Sequence, residues 1–454
     1  MEEVEERTSI RQGKPRNLPP ALIIVISFAA VILLGTICFL LPPATVDGKG
    51  LPFIDSLFLA TSATCVTGLV TIAPGATLTL YGQIVLAVLI EIGGLSFLTL
   101  VSFIFVLFGR KLTIGAQMLM KDQLNQETIG DIRKVIVRII VISLIVQIFG
   151  AGLCYLVFYF EYGLPWDESL KFSLFHAVSS FNNAGLDIFD FAENSLTHFK
   201  DDVWLNLITM LLIIMGGLGF VTIFDIVKKR RWGRFTLNTK IVLVMTLILI
   251  VVGTILFKAF NWHNMSFLQA LFSSVTARTA GFTSFDMAEL SNASYITMIV
   301  LMFVGASPCS TGGGFKTTSL FILASALVAY LRGRSPRAFY RKISQEQIEK
   351  TLALFIVEIA YLIVVSTLLC WIETDFGSGL DAKMVIFEVV SAFATVGLSQ
   401  GVTGALSIGG KIIIVITMFI GRLGPLTILS IWNNRANMFR EREIGYVEEK
   451  IIIG

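Results

Sequence analysis

One stretch carries the residue types of a phosphate site: GASPCSTGGGFKTT, 305–318, where three glycines precede Lys316 and Thr317. Such a loop cradles phosphate when its frame is Gly, four residues, then Gly-Lys-Ser/Thr, because the amides and the ammonium then converge on one oxyanion. Here Phe315 precedes the lysine and Ser310 stands where the first glycine is required, so the frame fails twice. Other chemistries find no better support. His176, His198 and His263 have no nucleophile at motif spacing, and the acids between 161 and 202 have no matching base. Cys38, Cys65, Cys154, Cys309 and Cys370 make no CxxC or zinc-type spacing. The expectation is no enzyme, no bound cofactor, no zinc and no structural disulfide.

A different chemistry recurs four times. The segments TCVTGL, NNAGL, RTAGF and ATVGL place Gly68, Gly185, Gly281 and Gly397 at spacings of 117, 96 and 116 residues. They follow Thr67, Ala184, Ala280 and Val396. Four extended tails around one axis can aim backbone carbonyls inward and replace the hydration shell of a cation. Glycine permits the backbone angles this needs and keeps side chains out of the path. Glycine is also common where membrane helices touch, but that explains one glycine better than four matched ones.

The elements that must hold these tails are membrane helices. Of 454 residues, 55% are hydrophobic and 15% are charged, and mean hydropathy is +0.80. Soluble chains carry about 25% charged residues. Eight apolar runs are long enough to span: 20–42, 80–109, 135–160, 203–227, 239–260, 294–330, 351–372 and 409–432. Before each glycine tail lies a shorter semi-apolar segment of re-entrant type. The N-terminus and residues 110–138, 228–240, 332–350 and 435–450 hold 26 of the 35 Lys and Arg. Positive charge stays inside, so both termini are expected in the cytoplasm and the four tails face outward.

The unit is therefore span, short helix with glycine tail, span. Four copies are expected at 18–110, 133–230, 238–331 and 350–433, followed by a cytosolic tail, 434–454. The second spans align too. Gly93, Gly216, Gly305 and Gly421 follow the tail glycines by 25, 31, 24 and 24 residues. The strings there are GGLSFLTL, GGLGFVTI, GAS followed by an insertion and GFKTT, and GRLGPLTI. The fold class expected is an all-α membrane protein of four helix–pore helix–helix repeats, with eight transmembrane helices around one pore.

At this point the chain resembles the Trk/Ktr/HKT superfamily of potassium transporters over essentially its whole length. Because it opens directly on the first repeat, it is most similar to the Ktr membrane subunit. The resemblance implies potassium at the filter carbonyls, since glycine stands at all four positions. It implies a homodimer seated on a cytosolic octameric ring of nucleotide-binding regulatory subunits. ATP and ADP would bind that ring and not this chain; sodium activation is a further implication. Nothing points to nucleic acid. The implied location is the plasma membrane.

The opening stretch then becomes an intramembrane loop, 305–317, interrupting the second span of repeat 3. Gly305, Ala306, Ser307, Pro308, Cys309, Ser310, Thr311, Gly312, Gly313 and Gly314 resist helix. Lying beneath the filter, they are expected to gate the path; a structural kink is the plainer alternative. Lys316 could close the loop by pairing. Arg422 is a charge inside a span, where charge is expensive and usually functional. It is expected to face the path as a barrier or as a donor to loop carbonyls, the alternative being a pair with Glu91. Arg278, beside a filter tail, is expected behind it, with Glu388 as candidate partner. Asp187, Asp190 and Asp286 lie outside and could concentrate cations, a plain solvated loop being the equal alternative. The apolar tail GYVEEKIIIG suits a dimer contact, and the basic loops suit topology or ring docking. An alternating-access carrier is the competing mechanism.

Overall fold

The computed structural model describes residues 20–95, 132–189, 195–375 and 379–424. Four helices are long and apolar enough to cross a bilayer: Leu22–Leu40, Val135–Glu161, Leu237–Phe260 and Gln345–Thr374. Each opens one copy of a recurring succession. A short helix follows, at Phe53–Cys65, Trp166–Phe181, Phe267–Thr276 and Ala382–Phe393. Then comes a return helix, at Leu80–Leu95, Val203–Gly217, Asn292–Phe303 and Ile408–Leu423. The chain is an all-α membrane protein, and its strands among the described residues form a hairpin pairing Arg337–Ala338 with Arg341–Lys342.

Local sequence explains where these helices start. Ser266 and Gln269 form a reciprocal capping box at the third short helix, with bonds of 3.1 and 2.8 Å. Asp381 accepts the Lys383 amide at 2.9 Å. The return helices at 203, 292 and 408 are capped by Asp202, Ser291 and Ser407. Each such cap is worth about 1 kcal/mol.

Packing is inverted relative to a soluble protein. Leu33, Leu34 and Ile37 of the first span are 56%, 63% and 55% exposed, facing where lipid lies. The short helices are the buried layer: Phe58, Phe181, Phe272, Phe387 and Phe393 lie in the interior. The aligned glycines of the return helices explain the close fit. A Cβ on Gly93, Gly216 or Gly421 would strike the carbonyl of Thr64, Phe181 or Phe393, each at the end of its own repeat's short helix. Glycine here lets one backbone touch another.

The return helices are less regular than hydropathy suggested. The run expected as one span over 203–227 bends by 96° at Leu218–Gly219 and resumes as Phe220–Lys229. The third stops at Phe303 and resumes as Thr317–Leu331. The fourth is described to Gly424, at φ +79°. The apolar tail, most of the 110–138 loop, and Asp190 lie outside the described residues.

Candidate functional site

The four short helices end alike. Val66, Asn183, Thr279 and Thr395 adopt left-handed angles, φ +56°, +59°, +68° and +51°, each two residues before its tail glycine. A non-glycine residue there is strained by about 1–2 kcal/mol. Hydrogen bonds to the short helix hold the turn. Thr67, Ala184 and Val396 amides donate to the Ser62, Ser179 and Ser391 carbonyls at 2.8, 2.8 and 2.9 Å, and Ala280 donates to Thr276 at 3.0 Å. Hydroxyls pin the tails as well. Ser62 and Ser391 accept the Gly68 and Gly397 amides at 3.0 and 3.1 Å. Ser179 and Thr276 donate to the Leu186 and Phe282 carbonyls at 2.5 and 2.6 Å.

These turns close a ring. Gly68, Gly185, Gly281 and Gly397 have φ of +101°, +65°, +81° and +93°. A Cβ on Gly68 would meet the Ala184 carbonyl, and one on Gly185 the Ala280 carbonyl, both at 2.5 Å. Gly281 faces the Val396 carbonyl, and Gly397 faces the Thr67 carbonyl of repeat 1. The order 1, 2, 3, 4 returns to 1 through backbone alone. Each short helix ends three to five residues before its ring glycine, so four electronegative C-termini lie close to the ring. Fixed carbonyls and helix ends of one sign can hold a dehydrated cation and cannot hold an anion.

Outside the ring lies a cavity of about 250 Å³, lined by the four glycines, Asp187, Ser399 and Thr403 among others. Asp187 is the charged residue in that lining. Burial lifts its carboxyl to about 6, against hydrogen bonds from Phe189 and Ser195 that lower it. Asp286 instead caps a turn through the Ala288 amide at 2.9 Å. His176 is a buried residue of the second short helix, 2.8 Å from the Thr209 hydroxyl on the return helix. His198 packs against Phe199, and His263 is exposed.

Inside the ring, residues 304–316 replace helix with a compact loop. Gly313 donates to the Thr395 hydroxyl at 2.9 Å. Thr311 Oγ1 meets the Asn183 side chain at 3.3 Å, and a Cβ on Gly312 would overlap the Thr279 hydroxyl. The loop thus abuts the left-handed residues of repeats 2, 3 and 4. It also accounts for the 96° bend. The broken helix of repeat 2 frees the Gly216 and Gly217 carbonyls; Thr311 and Ser307 amides take them at 3.4 and 3.1 Å. The Phe220 amide donates back to the Cys309 carbonyl at 3.0 Å. Two irregular segments satisfy one another, which non-helical backbone at membrane depth requires.

Arg422 reaches the same place from repeat 4. It donates to the Thr311 carbonyl, to Gly93 at 2.5 Å and to Gly94 at 3.5 Å. Lys316 donates to the Gly312 and Gly313 carbonyls at 2.8 and 3.2 Å. Two cations thus occupy three successive loop carbonyls. Glu91 is not the partner of Arg422: its Oε2 accepts from Gln147 at 2.9 Å and Asn182 at 2.7 Å.

The expected pair of Arg278 with Glu388 is not formed. Arg278 is buried and donates to the Thr246 hydroxyl at 3.3 Å. Glu388 accepts from Ser399 at 2.8 Å and from Thr403. Arg278 aligns with Ala394 by distance from its glycine, so Glu388 lies six residues further out along its helix. That is about 9 Å at 1.5 Å per residue.

Sequence reading missed the left-handed turns, because Val, Asn, Thr and Thr share no signature and only Asn favours that angle. It also missed the bond between the loop and the bent helix. A signal for it existed in Gly219, φ +84°, whose Cβ would strike the Pro308 carbonyl.

The TrkH family, described as cation transport protein, matches residues 8–435. The chain is similar to the potassium/sodium uptake protein NtpJ of Enterococcus hirae, 36% identical across 98% of this chain and 100% of that one. It is likewise 36% identical to the Ktr system potassium uptake protein B of Bacillus subtilis, over 90% of this chain and 92% of that one. Its fold is that of the potassium transporter TrkH from Vibrio parahaemolyticus, with a TM-score of 0.70 at 19% identity, covering 94% and 88% of the two chains. With a ring of backbone carbonyls at its centre and relatives of this kind along its whole length, the chain belongs to the TrkH family of cation transport proteins.

Proposed function

We propose that this chain is a potassium-selective uptake pore of the plasma membrane, with both termini in the cytoplasm. The single observation that carries the reading is the closed ring: each tail glycine lies against the carbonyl before the next repeat's glycine. Thr67, Ala184, Ala280 and Val396, with their glycines, supply carbonyls to the ion. The loop 305–317 and Arg422 are the gate in this reading, supported by the loop's bond to Thr395, two residues before a ring glycine, and by the bond of Arg422 to the Thr311 carbonyl. Relatives bearing the names potassium uptake and potassium/sodium uptake support the ion. A relative named as protein B of a Ktr system supports a partner subunit; the homodimer and the cytosolic nucleotide-binding ring rest on the family resemblance.

The test is ion flux into liposomes holding the purified protein, potassium against sodium, for wild type and Gly281→Ser. Potassium preference that the substitution weakens supports the reading. Equal passage of both ions leaves a pore and removes the potassium assignment. No passage with the regulatory ring present overturns it.

A further inference from the structure

The loop leaves one buried carboxylate unexplained. Glu358 lies in the long first span of repeat 4, 3% exposed, and its Oε2 is enclosed without a hydrogen-bond partner among the described residues. An enclosed carboxylate oxygen without a hydrogen bond is expensive at membrane depth. Its position is set by a neighbour. Phe355, three residues earlier and so on the same helix face, packs on Phe315 with ring centroids 5.6 Å apart. Phe303 packs on both, at 5.5 Å from Phe315 and 6.1 Å from Phe355. Phe315 is the residue before Lys316. The aromatic trio therefore seats the end of the loop against the face that carries Glu358.

Lys316 faces a related problem. With the loop in place, its ammonium is satisfied by the Gly312 and Gly313 carbonyls. Moving residues 307–313 off the axis, while Phe303 and Phe355 hold Phe315 in its seat, takes those carbonyls away. The ammonium then needs another acceptor, since an unpaired buried cation is strongly unfavourable. With the loop in place Lys316 and Glu358 attract one another across a gap too long for an ion pair, and the hydrogen bonds of the ammonium go to carbonyls.

We infer that Glu358 is a positioning residue of the gate: it is the second seat of the Lys316 ammonium, taken up when the loop leaves the axis. The carboxylate touches no ion in the path. It acts by lowering the energy of the open state, shifting the population toward conduction. The idea rests on the loop being the gate.

The experiment is potassium flux in liposomes for Glu358→Gln, Lys316→Met, the double variant, and Glu358→Gln combined with deletion of 307–313. Glu358→Gln should lower flux by about tenfold, a common size for coupling within one protein. Lys316→Met should raise flux, and adding Glu358→Gln to it should change nothing further. In the loop deletion, Glu358→Gln should also have no effect, although a merely structural glutamate would still reduce flux there. If Glu358→Gln alone does not fold, the double variant decides: flux above wild type supports the inference, and flux at or below wild type overturns it. Wild-type flux in folded Glu358→Gln overturns it as well. If the deletion leaves flux unchanged, the gate itself has failed. If the deletion raises flux while Glu358→Gln behaves as wild type, only the role of Glu358 has failed.

Discussion

The level of the glycine ring and the level just beneath it are built by opposite rules. At the ring the four repeats do one thing four times: a left-handed residue, a carbonyl, then a glycine at positive φ. Beneath it each repeat brings something different to the loop. Repeat 1 brings the Gly93 and Gly94 carbonyls, repeat 2 a 96° bend, repeat 3 the loop, and repeat 4 Arg422. Coordination of a spherical ion profits from near-equivalent ligands. Obstruction needs one element that can move against three that do not. On the proposed reading, symmetry above chooses the ion and asymmetry below controls its passage.

The sharpest way to break that comparison is at the ring. Gly397→Ala places a methyl against the Thr67 carbonyl and strains a residue at φ +93°. Potassium preference over sodium in paired fluxes should fall by about thirtyfold, equivalent to about 2 kcal/mol. Retained preference would mean the glycines are packing devices. Below the ring the sign reverses. Deleting 307–313 should raise flux by about tenfold and, with the proposed regulatory ring present, weaken its dependence on that ring. Unchanged flux and regulation in a folded deletion would reduce the loop to a kink. Arg422→Ala frees the Thr311, Gly93 and Gly94 carbonyls. Flux should rise by about fivefold, whereas lost flux in a folded variant would make Arg422 a brace. The smallest effect belongs to the outer mouth. Asp187 has its carboxyl raised by burial to about 6, so it is anionic above that pH and neutral below. Asp187→Asn should lower uptake from dilute potassium by about twofold at pH 7.5 and leave it unchanged at pH 5. Equal losses at both pH values would argue against a charge effect.

Much of this was legible without coordinates. Glycine at four matched places reads directly as backbone function, because its use is conformational and depends on no partner. The same held for Gly93, Gly216 and Gly421, whose alignment became contact with the short-helix carbonyls. Charged residues were less legible. Arg278, Glu388, Glu91 and Arg422 were all visible as costly charges, yet the expected Arg278–Glu388 pair was wrong and the partner of Arg422 was left open. Which donor meets which acceptor depends on depth along neighbouring helices, and hydropathy does not report depth to within one turn.

The sequence by itself determined that the chain is a membrane protein of fourfold succession, that glycines converge, and that one return span is interrupted. Those features follow from composition and period, which are properties of a single strand. Only the tertiary structure decided that Gly397 closes on Thr67, that the loop takes the carbonyls freed by the bend in repeat 2, and that Arg422 lies on Thr311. Each is a contact between segments more than 80 residues apart in the chain. Such contacts are selected by the need to satisfy every polar group where no water reaches, and that requirement acts on the folded assembly as a whole.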